Sequence, residues 1–277
     1  MPLTFNSVSF SYGAQSAPVL RDVAFTLEDG EFLGVCGATG SGKSTLLSHM
    51  NGLLAPTAGT VALDGRNLRD RPARTACRTQ VGLVFQCPER QLFRPTVHED
   101  VAFGPRNLGL SAAEVDERVQ SSLALVGLDA GEIGARSPFE LSGGQQRRVA
   151  LAGVLAMAPR ILALDEPTVG LDPRTHREFI ELLGRLHAEE GLTVVMASHN
   201  MDDLAELADR ILRLNPDGTV TVDAPGAIFA DEAALAAIGL DAPFSARFAR
   251  ALAARGFDVG ASPRNVRELA EAIAAHI

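Results

Sequence analysis

The fold is decided by the stretch Gly37-Ala38-Thr39-Gly40-Ser41-Gly42-Lys43-Ser44-Thr45, which fits the pattern G-x-x-x-x-G-K-[ST] of a phosphate-binding loop, or P-loop. Residues 31–36 before it form a short apolar run that is typical of a buried strand, and residues 46–50 after it continue as a helix. This order of strand, loop and helix is the context that the motif requires. The alternative is a glycine-rich turn that merely starts a helix.

The residue types of the P-loop indicate how it would bind phosphate. Glycines have no Cβ, so the loop can bend with its backbone N–H groups pointing inward. These N–H groups, together with the positive end of the following helix, hold phosphate oxygens. Lys43 would reach the outer phosphates, and Ser44 would bind Mg²⁺, a hard ion that prefers oxygen ligands.

The size and composition of the chain limit the classes of protein to which it can belong. Its 277 residues suffice for one large domain or for a domain with an appendage, and 46% hydrophobic residues allow a sizeable core. The net charge of −9 argues against binding to nucleic acid, since nucleic-acid-binding surfaces are usually basic. We therefore expect no nucleic acid among the partners.

Cysteine usage and apolar runs bear on the compartment. Cys36, Cys77 and Cys87 have no metal-ligand spacing, which is typical of reduced thiols in a cytoplasmic protein. The first residues lack a basic start followed by an apolar run, so we expect no signal peptide. The longest apolar run, at residues 149–158, is too short to span a bilayer. If the chain serves a membrane, we expect it to lie beside that membrane.

Strand patterns alternate with helical patterns along the chain, which predicts an α/β fold. Two segments of alternating polarity, residues 3–10 and 19–27, predict an N-terminal antiparallel β layer. Unbroken apolar runs further along predict a mainly parallel sheet that is covered on both faces. These runs lie at residues 31–36, 80–85, 161–165 and 193–197, and a hairpin is predicted at residues 211–222.

The texture of the sequence suggests two regions. Residues 1–222 form the main nucleotide-binding domain, and a helix- and loop-rich segment within it, about residues 88–158, forms a helical subdomain. Residues 223–277 form an alanine-rich C-terminal region that packs on the main domain or on another subunit. Three short helices are predicted there, near residues 231–238, 244–254 and 263–275, with Ser262 and Pro263 at the start of the last one.

Four polar residues stand just beyond the ends of apolar strands: Gln86, Asp165, Glu166 and His199. The carboxyl ends of parallel strands share the edge of the sheet at which the P-loop lies, so all four are expected near the terminal phosphate. Asp165 and Gln86 suit Mg²⁺ or its water, and Glu166 suits a water in line with the phosphorus. His199 suits the terminal phosphate or that water. Each residue taken alone could also be a polar cap at a strand end.

Together with these residues, three further motifs resemble the ATP-binding cassette (ABC) ATPases over residues 3–222. They are the stretch Leu141-Ser142-Gly143-Gly144-Gln145, the run 161–167 and the stretch Gly170-Leu171-Asp172. The resemblance implies ATP and Mg²⁺ as cofactors, with Ser44, Gln86 and Asp165 as metal ligands and with Glu166, His199 and Gln86 as catalytic residues. It also implies a head-to-tail dimer in which residues 141–145 of one subunit face the P-loop of the other.

The resemblance changes the interpretation of two residues at that dimeric site. Asp172 is expected at the seam between the subunits. Tyr12, the only tyrosine, would be an aromatic that anchors a strand end if spacing alone were considered. By resemblance it becomes a residue that stacks on adenine.

A narrower resemblance links the chain to the ATPases of energy-coupling factor importers, which include the cobalt and nickel importer ATPases. It is carried by residues 84–93, 96–97 and 100–105 and by the helical C-terminal region. The resemblance implies a second ATPase subunit, identical or related, a transmembrane scaffold protein and a small substrate-capture membrane protein. It places the chain at the cytoplasmic face of the cell membrane. Glu89 matches an acidic position in the groove that receives the scaffold; without the family it would be a solvated carboxylate.

Other functions leave different traces in a sequence. An ATPase of another ABC transporter class is the second hypothesis, and a soluble ABC ATPase acting on DNA or ribosomes is the third. Such soluble relatives carry long coiled-coil arms or two cassettes, and this chain shows neither sustained heptads nor a second cassette. A small-molecule phosphotransferase would not need residues 141–145.

Overall fold

The structure is a computed structural model that describes residues 2–13, 15–257, 259 and 263–275. The strands are β1 (Leu3–Phe10), β2 (Leu20–Leu27), β3 (Phe32–Cys36), β4 (Ala58–Leu63), β5 (Arg66–Asn67), β6 (Val81–Val84), β7 (Ile161–Asp165), β8 (Thr193–Ala197), β9 (Arg210–Leu214) and β10 (Val220–Asp223). The helices are α1 (Lys43–Met50), α2 (Arg71–Gln80), α3 (Val97–Val101), α4 (Phe103–Asn107), α5 (Ala112–Leu125), α6 (Ala130–Ile133), α7 (Gly143–Leu155), α8 (Pro173–Ala188), α9 (Met201–Leu207), α10 (Pro225–Ala230), α11 (Glu232–Ala237), α12 (Phe244–Ala253) and α13 (Val266–Ala274). Short 3₁₀ turns cover Pro88–Gln91 and Pro138–Glu140.

The central sheet has six strands in the order β10-β9-β3-β8-β7-β6. Its strands are parallel except β10, which pairs antiparallel with β9. Every residue of β3, β7 and β8 is buried, because successive side chains point to opposite faces and both faces are covered. The predicted α/β fold with a mainly parallel sheet is confirmed.

A second sheet of four antiparallel strands, in the order β2-β1-β4-β5, covers one face of the fold. Its apolar side chains share a core with helix α1 and with one face of the central sheet. Phe5 and Phe25 stack across the β1–β2 pair with ring centroids 4.7 Å apart. The predicted antiparallel β layer is therefore present, and it packs against α1, the helix that follows the P-loop.

The other face of the central sheet packs on helices, and this second core also contains α5 and α7. Ser111 and Glu114 form a capping box at the start of α5, with each side chain bonded to the other residue's backbone N–H. Helix α2 was not predicted. Cys77 is its one fully buried residue, so its sequence has no apolar stripe of the kind that reveals a helix.

The C-terminal region contains four helices among the described residues, α10 to α13, where three were predicted. Helix α10 was missed because it begins with Pro225 and Gly226, a pair that is typical of a turn. The last helix begins at Val266 rather than near residue 263, since the Asn265 side chain accepts a hydrogen bond from the Glu268 N–H at 2.9 Å and caps it. The predicted start at Ser262 lies outside the described residues. None of the described helices has both the length and the apolar character needed to cross a membrane.

Candidate functional site

The P-loop follows β3 and ends in α1, and its backbone depends on glycine. Gly40 and Gly42 have φ values of 78° and 107°, in the left-handed region that glycine adopts without strain. A Cβ on Gly42 would lie 2.7 Å from Cγ1 of Val19, so a side chain there would also collide with its neighbour. Lys43 Nζ donates to the carbonyl oxygens of Gly37 at 2.9 Å and Ala38 at 3.3 Å. The loop therefore curves around its own lysine.

A cleft of about 420 Å³ opens above the P-loop. The predicted residues at its wall are Tyr12, Thr39, Gly40, Gly42, Lys43, Ser44, Thr45, Gln86, Asp165, Glu166 and His199, and two residues that the sequence did not single out, Val19 and Val169, also line it. The structure thus brings together the groups that follow β6, β7 and β8, as expected for strand ends at one edge of a parallel sheet. Such a cleft can hold a nucleotide with its phosphates on the loop.

Glu166 lines the cleft together with Lys43 and His199. Its φ of 49° is left-handed, a conformation that costs a non-glycine residue on the order of 1–3 kcal/mol. The backbone compensates with a 3.0 Å hydrogen bond from the Glu166 N–H to the carbonyl of Ala197. The carboxylate lies between two partners, with Oε1 3.5 Å from Lys43 Nζ and Oε2 2.7 Å from His199 Nδ1.

Asp165, the last residue of β7, is buried. Burial raises the pKa of its carboxyl group, and the nearby charge of Glu166 acts in the same direction. A hydrogen bond with Ser44 and the charge of Lys43 oppose this rise in pKa. The Asp165 carboxylate is thus held against the hydroxyl of Ser44, which lies in the first turn of α1.

Ser44, Gln86 and Asp165 each carry a side-chain oxygen and all line the cleft, so the residues present fit a magnesium ion. Within the described part of the chain, no three His, Cys, Asp or Glu side chains cluster in a way that could hold a metal alone. Mg²⁺ does not need such a cluster, because it is usually bound by one or two protein oxygens together with phosphates and water.

Tyr12 stands at the mouth of the cleft. Its hydroxyl lies 2.8 Å from Oγ1 of Thr45, and its ring meets the edge of Phe10 with centroids 4.9 Å apart. Even so, 67% of the residue is exposed. A fixed, exposed aromatic face beside a phosphate site is suited to stacking on a planar base.

The stretch Leu141, Ser142, Gly143, Gly144 and Gln145 forms the start of α7. Ser142 caps this helix, and Gln145 completes a capping box. A Cβ on Gly143 would meet open space, so the backbone there is bare and accessible. Among the described residues that line the cleft, none belongs to residues 141–145. Within one chain, the start of α7 therefore does not reach the cleft above the P-loop.

Asp172 caps helix α8. Its side chain accepts hydrogen bonds from the backbone N–H groups of Arg174 and Thr175, each at 3.1 Å, and from the Thr175 hydroxyl at 2.6 Å. These bonds hold the pKa of the Asp172 carboxyl below its usual range. Asp172 is thus an ionised, exposed cap of α8. It lies near the start of α7, because the Thr175 side chain that it bonds packs against Gly144.

Glu89 is not the freely solvated carboxylate that its position in the sequence suggests. Its Oε2 accepts from Arg147 Nη2 at 3.1 Å, and Arg147 is itself buried in helix α7. The two residues are 58 positions apart, and no sequence pattern connects them. Arg147 is a charged residue near the site that the sequence did not indicate.

A family model described as ABC transporter matches residues 20–169, from β2 through the P-loop and helix α7 to the segment after Glu166. The chain belongs to the ABC transporter ATPases. This ABC ATPase therefore binds and hydrolyses ATP.

Curated relatives place the ABC ATPase among the proteins of one transporter group. It is 53% identical to the energy-coupling factor transporter ATP-binding protein EcfA2 of Symbiobacterium thermophilum, over 99% of this chain and 95% of the relative. It is 44% identical to the protein of the same name from Caldanaerobacter subterraneus, over 99% of this chain and 96% of the relative. The matches include the C-terminal region as well as the ATPase domain.

Solved structures of ABC ATPases have the same fold. The ABC ATPase matches cbiO1 of Clostridium perfringens, part of the ABC transporter complex cbiONQ, with a TM-score of 0.75 and 34% identity over 83% of this chain and 90% of that one. It matches a dimeric ATP-binding cassette bound to ADP and Pi with a TM-score of 0.69 and 32% identity, over 80% of this chain and 98% of that one.

Proposed function

We propose that this ABC ATPase is the ATP-hydrolysing subunit of an energy-coupling factor importer, and that it drives uptake of a vitamin or a transition-metal ion through a membrane scaffold protein. Cobalt and nickel are among the candidate ions. The observation that carries the proposal is the match over nearly the whole chain, C-terminal helices included, to ATP-binding proteins of energy-coupling factor transporters. We expect an ATPase of another ABC transporter class to match the ATPase domain of this chain without matching its C-terminal region, residues 223–277.

The residues of the cleft have distinct roles in hydrolysis. Backbone N–H groups of the P-loop, of which Thr39, Gly40 and Gly42 line the cleft, and the start of α1 hold the phosphates, while Lys43 neutralises the outer ones. Glu166 accepts a proton from the water that attacks the γ-phosphorus, and the bond from that phosphorus to the bridging oxygen breaks as ADP leaves. His199 orients the Glu166 carboxylate through the 2.7 Å contact. Mg²⁺ bound to Ser44, Gln86 and Asp165 would neutralise charge on the phosphates.

Complete ATP sites require two subunits. The start of α7 is exposed and lies outside the cleft of its own chain, yet its bare N–H groups suit the γ-phosphate. A head-to-tail dimer would bring residues 141–145 of one subunit over the P-loop of the other, with Asp172 at the seam. This chain carries every element of both half-sites, so an identical or a related ATPase subunit can complete them.

The remaining partners are a transmembrane scaffold protein and a small membrane protein that captures the substrate, and the ATPase lies at the cytoplasmic face of the membrane. Near Glu89, the exposed rings of Phe93 and Phe103 enclose the guanidinium of Arg94 at 4.9 and 4.8 Å from their centroids. Such an exposed aromatic surface suits the apolar side chains of a scaffold helix. Glu89 is paired with Arg147, but 26% of its side chain stays exposed and can meet a basic side chain of that helix.

A pull-down of the tagged Glu166→Gln chain from detergent-solubilised native cells, with ATP present, tests this proposal. Loss of the general base should retain the ATP-bound complex, and mass spectrometry should then identify a polytopic scaffold protein and a small membrane protein. A second ATPase in the sample would indicate a heterodimer. Recovery of soluble partners, ribosomes or DNA alone would contradict the importer and leave the ATPase chemistry standing. The Lys43→Ala chain, which should not hold ATP, is the matched control.

A further inference from the structure

Arg147 lies where three parts of the ABC ATPase meet. It belongs to the first two turns of α7, the helix that begins at Ser142. Only 4% of the residue is exposed, so its guanidinium group needs partners inside the protein. These partners come from two other segments, both of which adjoin the ATP cleft.

One partner segment is the 3₁₀ turn that follows Gln86. Glu89 Oε2 accepts hydrogen bonds from Arg147 Nη2 at 3.1 Å and from Arg147 Nε at 3.3 Å. A carboxylate contacted by two nitrogens of one guanidinium fixes the plane of that group as well as its charge. Glu89 therefore orients Arg147.

The other partner segment is the loop that follows Glu166. Arg147 Nη1 donates to the carbonyl oxygens of Pro167 at 2.9 Å and Val169 at 3.0 Å. Val169 lines the cleft, and its N–H donates back to the carbonyl of Glu166 at 3.3 Å. The guanidinium thus closes the turn that starts at Glu166 and ties it to α7.

The bonds from Arg147 to this turn matter because the backbone of Glu166 is strained. Its left-handed backbone is one that the chain would leave if the following turn were released. Relaxation would move the carboxylate away from His199 and from the water it activates, and a displacement of about 1 Å can cost a hundredfold in rate. The phosphate contacts of the P-loop do not pass through this turn.

We propose that Arg147 is a positioning residue for ATP hydrolysis: it holds the loop that follows Glu166 against α7, and Glu89 orients it. This role requires only the ATPase activity of the chain. It stands or falls separately from the importer function, because its test contains no transport step.

Steady-state hydrolysis by the purified full-length chain tests the role. Lysine at position 147 keeps the charge for Glu89 but has no fork that can reach both carbonyls. Arg147→Lys should lower kcat about tenfold or more when it is assayed well below its thermal midpoint, with KM for ATP close to wild type. Glu89→Gln, which retains one acceptor, should lower kcat about threefold. If Glu89 acts through Arg147, the double variant should match Arg147→Lys within about twofold.

Arg148→Lys is the matched control. Arg148 is the next residue of α7, but it bonds to Glu178 and to the carbonyl of Val126, both outside the cleft. Its replacement should leave kcat near wild type. Any of three outcomes would overturn the proposal. The first is a wild-type kcat for Arg147→Lys. The second is a loss of rate that a higher KM or unfolding at the assay temperature explains, and the third is a double variant whose loss equals the product of the two single losses. If Arg147→Lys does not fold, Glu89→Gln decides, since an unchanged kcat there is equally contradictory.

Discussion

His199 Nδ1 lies 2.7 Å from Oε2 of Glu166, and the other oxygen of that carboxylate lies 3.5 Å from Lys43 Nζ. A carboxylate that is held from both sides cannot rotate freely, so it presents one orientation to a bound water. The exposed fraction of the two side chains differs sharply, at 63% for His199 and 13% for Glu166. His199 can therefore also reach a ligand in the cleft while Glu166 stays fixed.

The first prediction concerns Glu166. Glutamine has the same shape and can keep a contact with His199, but it cannot accept a proton from water. Glu166→Gln should therefore lower kcat by at least about tenfold, which is about 1.4 kcal/mol of transition-state stabilisation, while ATP still binds. Phosphate release measures the rate, and equilibrium binding of ATP measures the affinity. A loss of less than tenfold would contradict the general-base role.

Tyr12 gives a prediction about nucleotide affinity. Stacking of a base on an aromatic ring is worth about 1–3 kcal/mol, so Tyr12→Ala should raise KM for ATP at least about fivefold. Tyr12→Phe keeps the ring and loses only the 2.8 Å contact with Thr45, so its KM should stay within about twofold of wild type. Equal effects of the two replacements would show that the hydroxyl contact, rather than the ring, is what matters. Both variants should retain kcat.

The sequence predicted most of the central fold because its signals are local. The unbroken apolar runs of β3, β7 and β8 are buried on both faces, and such runs read as strands of a covered parallel sheet. The grouping of Gln86, Asp165, Glu166 and His199 followed from one topological rule about strand ends. No knowledge of their side-chain contacts was needed.

The features that the sequence did not reveal depend on contacts between distant segments. The pair Glu89 and Arg147 joins a 3₁₀ turn to a helix, and a single charged residue of each sign has no periodicity to connect it. Helix α2 escaped because its side chains are mostly polar and only Cys77 is fully buried, so no apolar stripe shows in its sequence. Helix α10 escaped because its first two residues, Pro225 and Gly226, are typical of a turn.

The three cysteines should differ in their reactivity toward a thiol-specific reagent. Burial raises the pKa of Cys36 to about 12 and that of Cys77 to about 11, so neither carries a useful fraction of thiolate at pH 8. Cys87 is only partly buried. The native chain should therefore react with a thiol-specific reagent at Cys87 alone, and all three cysteines should react after unfolding. Peptide mapping identifies the modified residues, and Cys87→Ser is the control. Rapid modification of Cys36 in the folded chain would contradict the buried position.

Lys43 is the only lysine of the chain, so a lysine-specific reagent that resembles ATP can label the P-loop selectively. An ATP analogue with a mixed acyl-phosphate anhydride places a reactive carbonyl carbon beside Lys43 Nζ. Attack by the amine forms an amide and releases the nucleotide. We expect one acylated lysine side chain, located at Lys43 by peptide mapping, with the labelling blocked by excess ATP. Glu166→Gln should be labelled as efficiently as wild type, because it removes the base and leaves the loop intact. Labelling that excess ATP does not reduce would place the nucleotide outside this cleft.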